Sequence, residues 1–167
     1  MTSLAADADF DFLRRAATIS QESIGLTFPH PNHGAALVSA SGHIIATAFQ
    51  RAQGTPSVEE QILRESGDAA AGSTLYLNLE TGDCHGDTTA IECLLQSGVQ
   101  RIVIGMRYPL KHLRGASLSI LQAKSIQVQL LESHPDVHLP GTAAHAALRE
   151  CLDANEVRSR PTSYICP

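Results

Sequence analysis

The sequence predicts a single α/β domain built on a mixed five-stranded sheet, and three features predict it. Short apolar runs of strand character alternate with stretches of helical apolar spacing. Two of the runs, 35–39 and 44–49, are separated only by Ala40-Ser41-Gly42-His43, a turn signal that makes them an antiparallel β-hairpin. The chain has 167 residues, 43 % of them apolar and 17 % charged, which suffices for one core and not for two ordinary ones. The later strands each follow a helix. They therefore pair in parallel through right-handed crossovers, with helices on both faces and the hairpin at one edge.

The elements follow in order. Residues 9–23 place Phe12, Leu13, Ala16, Ala17 and Ile19 at helical spacing. Residues 27–34 contain Pro29, Pro31 and Gly34 and form a loop. After the hairpin, 51–56 is a second loop. Residues 57–70 are helical, with Ser57 as N-cap and Glu60 completing a capping box. Residues 74–79 form a strand, and 80–86 are polar and turn-rich. A helix over 87–97 turns Ala90, Ile91, Leu94 and Leu95 inward and stops at Gly98. A strand over 101–105, a helix over 117–123 and a strand over 126–131 complete the alternation. After Glu132 the composition changes. Residues 134–141 read as a linker, 142–155 as a last helix, and 158–167 as a loosely held tail. By these signals the chain divides into a domain at 1–131, a linker and C-terminal helix at 132–157, and a tail at 158–167.

Composition excludes several classes of function. The net charge is -5, and Arg101, Arg107, Lys111 and Arg114 are scattered without interleaved aromatics, so no nucleic-acid partner is expected. No apolar run reaches the length of a membrane span. Cys84, Cys93, Cys151 and Cys166 fit neither a disulfide framework nor a metal knuckle, so free thiols in a reducing compartment are expected. The start carries Asp7, Asp9 and Asp11 and does not read as a transit peptide.

The loops carry the functional signal. Zinc deaminases hold the metal with a His or Cys at the start of one helix and two cysteines at the start of the next, while a nearby Glu moves the proton. Three stretches resemble the deaminase domain of the bifunctional riboflavin deaminase-reductase family. Thr27-Phe28-Pro29-His30-Pro31-Asn32-His33-Gly34 is similar to its T-S-P-N-P-x-V-G loop. Ala52-Gln53-Gly54-Thr55-Pro56-Ser57-Val58-Glu59 stands where that family carries H-A-E. Leu77-Asn78-Leu79-Glu80-Thr81-Gly82-Asp83-Cys84-His85-Gly86-Asp87-Thr88 stands where it carries L-E-P-C. The likeness is closer to plant-type pyrimidine reductases of riboflavin synthesis, whose deaminase-like N-terminal domain lacks the zinc site. Their Y-L-N-x-E-P-G-D-C-H-G-D and V-I-G-M-R-x-P-L-x-H-L-R-G patterns match residues 76–87 and 103–115. The resemblance implies a three-layer α/β/α, cytidine-deaminase-like fold.

Carried over residue by residue, the resemblance puts Ser57, Gly82 and Ile91 at the three zinc-ligand positions. None of them binds zinc in the usual way. Glu59, the proton-shuttle position, persists. The expectation is therefore a catalytically inactive domain with no metal, no cofactor and no catalytic residue, serving as a structural or assembly module. Thr27, His30, Glu59 and Asp83 are the residues of a residual pocket that would bind a pyrimidine intermediate without turnover. Phe28 replaces a small residue and would narrow that pocket. A third reading is a hydrolase that deaminates a pyrimidine precursor through an atypical metal site near Glu59, Cys84, His85 and Cys93. Against each stands a plainer reading. Glu59 is a first-turn acid on the helix surface, favoured by the dipole. His30 and His33 are loop residues satisfied by backbone. Asp83 and Asp87 cap the next helix.

In the resembling proteins the reduction chemistry belongs to a second domain. No Gly-rich phosphate-binding turn follows here before Pro167, so that chemistry is expected outside this chain. A homodimer or a reductase-type partner is the expected assembly. Plastid localisation is implied by the resemblance, and a cytoplasmic one otherwise.

Overall fold

The structure is a computed structural model that describes residues 7–28, 30–52, 54–81, 88–111 and 114–156. The hairpin forms as expected. β1 (Gly34–Val38) pairs antiparallel with β2 (Ile44–Phe49), with Ala36 opposite Thr47 and a bulge at Leu37/Val38. The turn closes through Ser39 N–H to the His43 carbonyl at 2.8 Å. β3 (Thr74–Leu79) lies antiparallel against the other side of β1. β4 (Arg101–Met106) and β5 (Gln127–Leu130) then add in parallel, giving the order β2-β1-β3-β4-β5. The chain thus has the mixed five-stranded sheet and edge hairpin that the alternation of runs predicts.

Helices cover both faces. α1 (Asp7–Ser20) and α5 (Ala143–Glu156) share one face, where Leu13, Ala16 and Ala17 meet Tyr76, Val103, Ala147 and Cys151. α2 (Val58–Ser66), α3 (Thr89–Gln96) and α4 (Ala116–Ala123) cover the other, where Val58, Ile62, Ile91, Leu94 and Leu121 meet Leu37, Leu75, Leu77 and Ile104. With almost no aromatics, tight approach replaces large side chains. A Cβ on Gly34 would lie 2.4 Å from Ser20 N, and one on Gly105 would lie 2.4 Å from Cys151 Sγ. These two glycines let α1 and α5 sit directly on β1 and β4. Burial of Cys151 pushes its thiol up to about 12, so it packs as a neutral apolar group.

Several boundaries differ from the expected ones. The helix expected over 57–70 ends at Ser66 and continues as a 3-10 turn, because Gly67 takes φ 51° at the C-cap. α3 begins at Thr89 with Thr88 in the N-cap position, and the Thr88 hydroxyl donates to Glu92 Oε1 at 2.8 Å, while the expected caps Asp83 and Asp87 lie outside the described residues. Of residues 132–157, set apart by composition, the described ones, 132–156, pack on the core. Two 3-10 turns, Leu131–Ser133 and Pro135–His138, bury Leu131 and Val137, and α5 buries Ala144, Ala147, Leu148, Cys151 and Ala154. No described helix is long and apolar enough to cross a membrane.

One polar network is buried beneath α1. Arg101 makes a two-pronged ion pair with Asp9, at 2.8 and 2.6 Å, and also donates to Gln129 Oε1. The Tyr76 hydroxyl donates to Asp9 at 2.7 Å. Burial, then the Asp9 carboxylate, holds the Tyr76 phenol above its ordinary range, and the same carboxylate raises Arg101.

Candidate functional site

The loop from Thr27 to Gly34 is fixed by buried side chains at the end of the sheet where β1 begins and β3 stops. Asn78, fully buried in β3, accepts from Gly34 N–H at 2.8 Å and donates to the Asn32 carbonyl at 3.1 Å. Asn32 in turn donates to the Ala154 carbonyl at 2.7 Å, and its N–H reaches Asn155 Oδ1 at 2.9 Å. The Thr27 hydroxyl lies 3.2 Å from the His30 carbonyl and 3.3 Å from Asn32 Oδ1. Thr27 therefore ties its own loop together. His30 is half-buried in that loop, and its N–H donates to the Thr27 carbonyl at 2.7 Å. Phe28 is 74 % exposed, so it points into solvent and does not narrow a pocket as expected.

The three ligand positions can be tested against zinc. Ser57 Oγ accepts from Glu60 N–H at 3.2 Å, while Glu60 Oε2 accepts from Ser57 N–H at 2.8 Å, so the capping box read from the sequence is present. That hydroxyl satisfies a helix N-terminus and is no strong metal donor. Ile91 is buried in the apolar cluster beneath α2, α3 and α4. Gly82 and Asp83, like Cys84, His85 and Asp87, lie outside the described residues. The two described ligand positions therefore do not fit a zinc ion.

Glu59 is not the helix-surface acid that the sequence also allowed. It is 2 % exposed, held inward by the first turn of α2. Its Oε1 has no hydrogen-bond partner and lies 3.9 Å from His33 Nε2, which has none either. That separation is an ion-pair distance if the imidazole is protonated, and too long for a hydrogen bond. Thr81 Oγ1, just past β3, is the third buried side-chain atom without a partner among the described residues. The sequence reading of His33 as a loop residue satisfied by backbone holds only for its main chain. Its backbone is satisfied, since its carbonyl accepts from Gln50 N–H at 2.8 Å, but its side chain is not.

Sequence reasoning missed Glu80. It is buried, and its carboxylate accepts from Tyr108 N–H at 3.2 Å and from Gly115 N–H. It pins the loop after β4 over the same end of the sheet, and Arg114 helps by donating to the Tyr108 carbonyl at 2.6 Å. Cys93 stands apart, between α2 and α3 beside Glu60, Arg64 and Gln96. Burial and then the Glu60 and Glu92 carboxylates push its thiol up, the reverse of what a metal-binding thiolate needs.

Comparison with known proteins places this geometry. No family model matches the chain. It is 45 % identical over 123 residues to the chloroplastic riboflavin biosynthesis protein PYRR of Arabidopsis thaliana, covering 74 % of this chain and 20 % of that protein. It is 42 % identical over 154 residues to PYRR of Zea mays, covering 88 % of this chain and 24 % of the relative. The chain thus spans about a quarter or less of these relatives. Among solved structures, the diaminohydroxyphosphoribosylaminopyrimidine deaminase/5-amino-6-(5-phosphoribosylamino)uracil reductase of Thermotoga maritima superposes with a TM-score of 0.71 at 25 % identity, covering 89 % of this chain and 39 % of that one.

Proposed function

Because the chain is a deaminase-like domain of the riboflavin pyrimidine reductase family, we propose that it works without catalysis, as a structural or assembly module for a pyrimidine reductase. The observation that carries this reading is the state of the ligand positions. Ser57 is engaged in a capping box and Ile91 is packed in hydrocarbon, so Glu59 stands without the metal-bound water that it would serve. A general acid with nothing to activate supplies no deamination. The plant relatives bear the word chloroplastic in their names, and a plastid location for this chain is part of the proposal.

The purified chain, supplied with the diamino-pyrimidine precursor named for the Thermotoga relative and with zinc, is expected to release no ammonia above background. Ammonia release that a chelator abolishes would sink the inactive-domain reading. The module role predicts a stable complex with a reductase domain in sedimentation experiments. Saturable heat from the precursor without turnover would instead make the domain a binder.

A further inference from the structure

His33 Nε2, Glu59 Oε1 and Thr81 Oγ1 are buried without partners, and the topology places all three at one end of the sheet. His33 immediately precedes β1. β1 pairs antiparallel with β3, Ala35 opposite Leu77, so residues before β1 and after β3 share that end. Thr81 is two residues past β3. The first turn of α2 arrives there too, because Gln61 Nε2 donates to the carbonyl of Phe49, the residue paired with Gly34. Convergence of this kind in a native interior marks a place where something else completes the hydrogen bonding or the charge.

From this geometry we propose a divalent metal-ion site between His33 Nε2 and Glu59 Oε1, distinct from the ligand positions that Ser57 and Ile91 occupy. Glu59 is a carboxylate in the first turn of a helix, where negative charge is favoured, yet no cation or N–H meets its buried oxygen. His33 offers an imidazole nitrogen whose lone pair is available in one tautomer. Imidazole nitrogen with carboxylate oxygen is a donor set for zinc and its first-row neighbours.

The spacing suits an ion. Zinc bonds to His nitrogen and carboxylate oxygen sum to about 4.1 Å, so the observed 3.9 Å gap admits an ion at a ligand angle of about 144°, wider than tetrahedral. Closing the gap by about 0.5 Å gives the separation of two tetrahedral ligands. Among the described residues no group of three His, Cys, Asp or Glu side chains surrounds the gap. In the proposed site water completes the coordination, and the Thr81 hydroxyl at the same end of the sheet is available to hold that water. With Glu59 serving as a ligand, its carboxylate is not the free proton shuttle of the resembling enzymes. The proposal concerns metal binding alone, and it stands whether or not the inactive-domain reading holds.

The test is calorimetry of the chelator-treated, full 167-residue chain with Zn²⁺, together with visible absorption of its Co²⁺ form. The expected result is one ion per chain, with d–d bands and no thiolate charge-transfer band. Glu59→Gln and His33→Gln should each weaken binding about tenfold or more. Zn²⁺ should raise the melting temperature of the parent chain and not of either variant, a readout that also shows that the variants fold. Absence of saturable binding would overturn the site. So would a thiolate band, or affinity unchanged in both variants, since the metal would then sit at cysteines or on the surface. Zinc binding accompanied by ammonia release would leave the site standing and overturn the inactive-domain reading. Neither binding nor release would overturn the site alone.

Discussion

Asp9 and Glu59 show how differently two buried carboxylates in one small domain are treated. Asp9 receives two bonds from Arg101 and one from the Tyr76 hydroxyl, while Glu59 Oε1 receives none. The first arrangement is self-sufficient, and removing one partner exposes its cost. Arg101→Ala leaves the Asp9 charge under α1 with the Tyr76 hydroxyl as its remaining partner in that network. It should destabilise the protein by about 3 kcal/mol in urea unfolding, the low end for a broken buried pair because Arg101 is itself 20 % exposed. Replacing both members, Asp9→Leu with Arg101→Met, should recover most of that loss, since no buried charge remains. A single variant with no loss would show that Asp9 is solvated. The contrast with Glu59 was not legible in the sequence. A Glu in the first turn of a helix reads the same whether it faces water or a histidine from another loop. Only the register between the 27–34 loop and α2 decides which.

At the scale of elements, local signals and tertiary ones part company. The hairpin, the capping box of α2 and the bounds of β3 were legible because each is encoded within a few residues: a Gly turn, a Ser–Glu pair, an apolar run between polar flanks. The ends of α2 and α3 were legible only to within a few residues, because capping depends on conformation, as at Gly67 and Thr88. The capping box has a measurable consequence. Ser57→Ala removes one acceptor for the α2 N-terminus and should cost about 1 kcal/mol in thermal or urea unfolding. Ser57→His, which restores the residue type of the family's ligand position, loses the same cap. A stability equal to the parent in either variant would mean that the hydroxyl does not hold the helix. The position that the resemblance aligns with the ligand histidine is used here as a helix cap.

Across the whole molecule, the mixed five-stranded sheet with a hairpin at one edge followed from alternation and crossover handedness, and the layers followed from the apolar spacing of each helix. What composition could not show is that α5 belongs to the same body. The prolines and glycine of 134–141 look like a linker, yet they lead into a helix that covers β4 beside α1. A chain ending at residue 131 would uncover Tyr76, Val103 and Met106. It should lose cooperative thermal unfolding and bind a hydrophobic dye that the parent does not bind. A cooperative transition in the shorter chain would make α5 an accessory. The asparagine ties give this arrangement a mechanical side. Asn32 is bonded to Ala154 and Asn155 at one end and, through Asn78, to the sheet at the other. His33 is the next residue along. Whatever is joined to the end of α5, a load on it is delivered first to the loop that sets the His33–Glu59 gap. The strap that finishes the fold is also the lever arm on the gap between two of the buried side-chain atoms that have no partner among the described residues.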